Sequence, residues 1–243
     1  MIFIGNLKNN IPSKDYINTI TNYEYKDDVY LALPLVYISK YQEELHNANI
    51  KVGSQTVDLD EDFANRGEIN AKMLKDVGTD FVFFGHRKDK KLTTSSYSRL
   101  RKKIISVIEN EMVAIVSVGE SMEEYDTGKT CQVIEKQIKE IFKGMENYIN
   151  EDNILIAYEP KWAVGTGLCL SANELNNLIR NIKSMIEVYA KKKCKVLFGG
   201  SCNVHNIPKY AENDEIEGFV MSNACLDAKQ FIRILCGNRK REY

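Results

Sequence analysis

Histidine, proline and tryptophan are scarce in this chain: three His, four Pro and one Trp among 243 residues. Three scattered histidines, with no H-x-H or H-E-x-x-H pattern, leave no recognisable metal site. None of the six cysteines, Cys131, Cys169, Cys194, Cys202, Cys225 and Cys236, forms a CxxC pair or stands at metal spacing from a His. They read as free thiols in a reducing, cytoplasmic compartment. A net charge of −1 supplies no basic field for nucleic acid or for an anionic membrane. Apolar runs stop at about five or six residues, where a membrane-spanning helix needs about 20. The N-terminus, MIFIGNLKNN, has no basic n-region and no long h-region, so it does not read as a signal peptide. No linker rich in Pro, Gly or Ser divides the chain.

What is present is a soluble, globular composition, 44% apolar and 28% charged, long enough to bury a core without staples. Short apolar runs recur at Ile2–Ile4, Val29–Leu33, Ile50–Val52, Phe81–Phe84, Val113–Val116, Ile154–Ala157, Val196–Phe198 and Gly218–Met221. Such continuous runs suit parallel strands buried on both faces. Helical periodicity lies between them. Leu100, Ile104 and Val107 form one stripe, Ile134, Ile138, Ile141 and Met145 a second, and Leu175, Leu178, Ile182, Met185 and Tyr189 a third. Ser171 with Glu174 predicts a capping box at the start of the last. Arg99, Arg101, Lys102, Lys103 and the Lys191–Lys193 run read as solvated helix surface, as do His46 and His205 as surface residues. One strand-plus-helix unit recurs about every 30 residues, the size of a βαβ repeat. Eight of them point to a single (β/α)8 barrel domain over residues 1–243, with an open doubly wound sheet as the alternative.

In a barrel, chemistry sits at the C-terminal strand ends. The first strand delivers Asn6 and Lys8, the fourth Gly85-His86, the seventh Gly199-Gly200-Ser201 and the eighth Ser222-Asn223. The sixth delivers the most informative stretch, AYEPKWAVGTG from Ala157 to Gly167. Here Glu159 stands at a strand tip, Pro160 stops the strand, and the only Trp and two glycines follow. A carboxylate beside a loop hinged at Pro and Gly suggests a base under a lid. An ordinary βα loop with a solvated Glu fits those eleven residues as well, and a GGS triplet alone fits a tight turn.

GNLKNN, FFGH, SVGE, AYEPKWAVGTG and FGGS, in this order and at these spacings, resemble the triosephosphate isomerase family from the first strand to the eighth. The resemblance implies a homodimeric TIM barrel that uses neither metal nor cofactor and interconverts dihydroxyacetone phosphate and glyceraldehyde 3-phosphate. It implies Glu159 as the base, His86 as the electrophile, Lys8 as positive charge for phosphate and enediolate, and Asn6 as a hydrogen-bond donor. The pairing of a Glu base with a neutral His is the family's own well-known arrangement. Gly165 and Ser201 match two backbone donors to the phosphate, completed by Ser222 and Asn223 after strand 8. Glu120 matches a carboxylate behind the site.

Several positions depart from the family pattern. Ser117 stands where Cys is usual, and Lys88 stands where a Glu lies near the first-strand lysine. Ser222-Asn223 replaces a double glycine. Phe198 replaces a Tyr whose hydroxyl latches the lid, and Leu168-Cys169-Leu170 replaces Lys-Thr-Ala at the distal hinge. The resemblance implies a dimer loop whose tip corresponds here to Asn65-Arg66-Gly67-Glu68, with Asn9 in the matching socket where an apolar Met is common. These changes raise the alternative of a weakly active or non-catalytic phosphate-binding barrel. They also predict some methylglyoxal release through a leaky lid.

Overall fold

The computed structural model describes residues 1–59, 67–85, 94–212 and 214–237. Eight strands, β1 (Ile2–Asn6), β2 (Asp28–Leu33), β3 (Ile50–Ser54), β4 (Phe81–Phe84), β5 (Val113–Val118), β6 (Ile154–Tyr158), β7 (Lys195–Phe198) and β8 (Gly218–Met221), close into a barrel in sequence order. Every pairing is parallel, and β1 completes the ring by pairing Ile2 with both Asp28 of β2 and Gly218 of β8. The closed ring excludes the open doubly wound sheet. Each of the eight apolar runs seen in the sequence lies within one of these strands.

Helices α1 (Lys14–Thr21), α2 (Ile38–Asn47), α3 (Ala71–Asp76), α4 (Thr94–Glu109), α5 (Met122–Asp126), α6 (Thr130–Phe142), α7 (Ala172–Ala190), α8 (Ile207–Tyr210) and α9 (Ala228–Gly237) cover the outside. Strand residues therefore divide between two cores. Ile4, Ala32, Phe83, Ile115, Leu155, Leu197 and Val220 fill the bore. Their outward neighbours, such as Phe3, Leu31, Val82, Ala114, Ile156 and Phe219, pack under the helices. At the N-terminal end of the bore Tyr30 packs on Phe81 with ring centroids 5.2 Å apart, and the Lys51 ammonium donates to the Tyr30 hydroxyl at 3.0 Å. That end is plugged by side chains.

The capping box of α7 is present: the Ser171 hydroxyl accepts from the Glu174 N–H, and the Glu174 carboxylate accepts from the Ser171 N–H at 3.0 Å. Its buried face runs Leu175, Ile179, Ile182, Ile186 and Ala190. Leu178, Met185 and Tyr189 are only partly buried, so the apolar stripe read from the sequence is rotated toward one side. Helix α6 ends at Phe142, and Gly144 takes a left-handed φ of 74° just beyond it. Met145 is fully buried from the following turn rather than from the helix.

Two charged residues of α4 are not simple solvated surface. The Arg101 guanidinium donates to the Glu140 carbonyl, and the Lys103 ammonium pairs with Asp58 at 2.9 Å. The approach of α4 to α6 and to the β3 loop brings these partners within reach, which helix periodicity alone does not show. His46 likewise sits 2.7 Å from Asp80, whose carboxylate also accepts from the Val52 N–H at 2.7 Å. Lys191, Lys192, Lys193 and His205 are exposed. All six cysteines are free thiols. No helix among the described residues is long and apolar enough to cross a membrane.

Candidate active site

The bore's alternation builds the site. Side chains two apart on a strand share a face, so the inward phase of Ile4, Gly53, Ile115, Ala157, Leu197 and Val220 continues to Asn6, Gln55, Ser117, Glu159, Gly199 and Ser222 at the C-terminal mouth. All six line one or both of two cavities among the described residues. One, of about 250 Å³, lies among the lid, Gly199–Ser201 and Ser222–Asn223. The other lies beside Asn6, Lys8 and Gln55. Glu159 and Ser222 border both, so they form one continuous mouth.

Glu159 is held from several sides. Its N–H donates to the Val118 carbonyl at 2.8 Å, extending the β5–β6 ladder by one residue. Its carboxylate accepts a hydrogen bond from the Ser117 hydroxyl, on the neighbouring strand and 2% exposed. Two glycines make room for it. A Cβ on Gly119 would come within 2.1 Å of the Glu159 carbonyl oxygen, and one on Gly199 within 2.5 Å of Glu159 Cγ. Gly199 thus permits close approach of the Glu159 side chain. Gly119 is itself clamped by the Gln137 amide of α6, which accepts from its N–H at 2.9 Å and donates to its carbonyl at 3.0 Å.

Behind Glu159 lies Glu120, fully buried. One of its oxygens accepts from the Tyr158 hydroxyl at 3.1 Å and from the Trp162 indole N–H at 2.8 Å. Its backbone carbonyl accepts from the Lys161 N–H at 2.9 Å. Burial pushes the Tyr158 phenol far up, so it stays a donor. Glu120 therefore ties the end of β6 to the first residues of the lid.

On the opposite side, Lys8 adopts φ 51°, a left-handed conformation that costs a non-glycine residue about 1–2 kcal/mol. Two side-chain amides compensate. Asn6 Oδ1 accepts from the Lys8 N–H at 2.9 Å, and Gln55 Nε2 donates to the Lys8 carbonyl at 2.7 Å. Asn6 and Gln55 thereby fix the direction in which the lysine leaves the backbone.

The lid runs from Pro160 to Leu170. Gly165 and Gly167 take φ 74° and 85°, conformations that favour glycine. Its tip is fastened to the strand-7 loop. The Ser201 hydroxyl accepts from the Gly167 N–H at 2.9 Å and donates to the Ala163 carbonyl. Asn223 reaches toward the lid from the other side, with Nδ2 3.5 Å from where a Gly165 Cβ would be. Backbone amides and small polar side chains thus border this cavity of about 250 Å³, beside a held carboxylate.

Residues 1–237 match the family model for triosephosphate isomerase. The chain belongs to the triosephosphate isomerase family. It is 34% identical over 243 residues to the triosephosphate isomerase of Alkaliphilus oremlandii (strain OhILAs), covering 96% of this chain and 98% of that one. The enzyme of that name from Aquifex aeolicus (strain VF5) is 32% identical over 229 residues, 92% of each chain. That from Dictyoglomus thermophilum is 34% identical over 226 residues, covering 91% and 90%.

As a triosephosphate isomerase relative, the chain brings Asn6, Lys8, Glu159, Gly165, Ser201, Ser222 and Asn223 to one mouth. His86, Lys88, Asn65 and Arg66 lie outside the described residues. Sequence reasoning passed over Gln55, Gln137 and the hydroxyl of Ser117. Strand alternation was the signal available for Gln55 and Ser117. Gln137 gave none, because its partner lies on another element.

Proposed function

We propose that this protein is a triose-phosphate isomerase, interconverting dihydroxyacetone phosphate and D-glyceraldehyde 3-phosphate. The observation that carries the reading is the Glu159 carboxylate, aimed by Ser117 and Gly199 into a mouth that continues into the lid-covered cavity.

In this reading Glu159 removes a proton from the carbon next to the substrate carbonyl and returns it to the neighbouring carbon. The negative charge developing on oxygen is met by the Lys8 ammonium and by donors at Asn6, with His86 moving protons between the two oxygens. The phosphate lies against the N–H groups of Gly165, Ser201, Ser222 and Asn223. The barrel acts as one domain over residues 1–243, in the cytoplasm, as a homodimer joined through the loop around Asn65–Glu68. Ile11 at 72% and Val36 at 78% exposure, on the loops after β1 and β2, support such an interface.

A coupled assay of the purified protein with glyceraldehyde 3-phosphate, beside Glu159→Gln, tests the function. Turnover by the wild type with a loss of roughly 10³-fold in the variant is expected. Equal inactivity of two folded proteins would sink the isomerase and favour the non-catalytic phosphate-binding barrel. Light scattering across a dilution series tests the homodimer.

A further inference from the structure

The two ends of the lid are fastened differently. At the near end Glu120 holds both Lys161 and Trp162. At the far end the chain passes through Leu168-Cys169-Leu170 into α7. There the Leu170 carbonyl accepts a hydrogen bond from the Tyr210 hydroxyl at 2.7 Å. Tyr210 is the last residue of α8 and is 3% exposed. Its ring meets Phe198 edge-on, with centroids 5.3 Å apart and planes at 78°. Phe198 ends β7 and directly precedes Gly199-Gly200-Ser201. One buried ring therefore couples the lid's far hinge to the strand that carries the phosphate loop. Phe198 has no hydroxyl to offer the lid, and Tyr210 supplies one from the next helix. Burial pushes this phenol well above its usual range, so it remains a donor at any working pH.

We infer that Tyr210 is the latch of the lid's far hinge, a positioning residue that holds the tip, Gly165 to Gly167, over the phosphate cavity through the Leu170 carbonyl. The inference rests on the isomerase reading of the site. A carbonyl at a hinge keeps its buried partner only while the segment lies down; raising the segment exchanges that bond for water. One such bond biases the closed arrangement by about five- to tenfold.

The lid reports on itself, because Trp162 is the only tryptophan in the chain. Tyr210→Phe removes one oxygen and keeps the ring packed on Phe198. Trp162 emission is titrated with inorganic phosphate in both proteins. About five- to tenfold more phosphate is expected at half-change in the variant. With triose phosphate, isomerisation slows and the methylglyoxal share of product rises. In that side reaction the enediolate's C–O bond to phosphate breaks, phosphate leaves with the electron pair, and the remaining enol gains a proton on carbon from water while its hydroxyl gives one back, yielding methylglyoxal. An unchanged phosphate titration and product ratio overturns the latch, even if Tm falls, because Tyr210 is then a packing residue only. Absence of any phosphate response in the wild type also overturns it. If the wild type fails to isomerise, the functional reading falls, while the phosphate titration still decides the latch.

Discussion

The β5–β6 corner and the β7–β8 corner of the mouth are built on opposite plans. At β5–β6 the holding groups are side chains: Ser117 on the Glu159 carboxylate, Gln137 on the Gly119 backbone, and Tyr158 and Trp162 on the Glu120 carboxylate. Nearly all of this is buried. At β7–β8 the groups facing the cavity are backbone and short polar side chains, and Asn223 is exposed. In the proposed isomerase reading, the difference follows from what each corner would handle. Proton abstraction needs one carboxylate oxygen aimed at one carbon, and an error near 1 Å costs on the order of 10²-fold. A phosphate dianion spreads its charge over several oxygens and accepts several moderately placed N–H donors.

The sharpest way to break this contrast is Glu159→Gln, with its expected loss of roughly 10³-fold in kcat in the coupled assay. Gly199→Ala comes next. Its Cβ would press on Glu159 Cγ at 2.5 Å and Oε1 at 2.9 Å, pushing the carboxylate out of line. A fall in kcat of about 10²-fold is expected with KM nearly unchanged. A rise in KM alone would instead assign Gly199 to phosphate binding. Ser117→Ala removes the hydroxyl from the carboxylate and should lower kcat about tenfold at similar KM, the scale of one hydrogen bond to a charged group. Ser117→Thr, which retains a hydroxyl, should recover part of that loss. Asn223→Gly at the looser corner should change KM by only about two- to threefold, read from initial rates. An effect as large as that of Ser117→Ala would abolish the contrast between the corners.

Native thiol labelling gives the smallest and simplest test. Cys131 and Cys169 are exposed, whereas burial pushes the Cys194 and Cys225 thiols up to about 12 and the Cys202 thiol higher still. Reagent in excess should therefore modify Cys131 and Cys169 and spare the three buried thiols, as read by mass spectrometry. Labelling of Cys202 would show that the β7 corner opens more readily than its packing implies.

The eight strands and the capping box at Ser171 were legible because they depend on residues adjacent or nearly adjacent in the chain. The same locality explains the misplacements. The stripe through Leu178, Met185 and Tyr189 fits a helix, but the angle at which α7 meets the barrel selects Ile179 and Ile186 instead. Met145 kept the helical period, yet Gly144 ended the helix before it. Arg101 and Lys103 read as surface because Glu140 and Asp58 are brought to them from other elements.

The sequence by itself determined the number of strands, their burial on both faces, and the delivery of Asn6, Lys8, Glu159 and the Gly199–Ser201 turn to strand ends. Alternation along a strand and the stop at Pro160 are local properties of the chain. Only the tertiary structure decided what holds those groups: Ser117 on Glu159, Gln55 on Lys8, Gln137 on Gly119 and Tyr210 on Leu170. Each of these contacts joins segments between 18 and 47 residues apart in the chain. Hydrogen bonds of about 3 Å between such segments exist only after the barrel has closed.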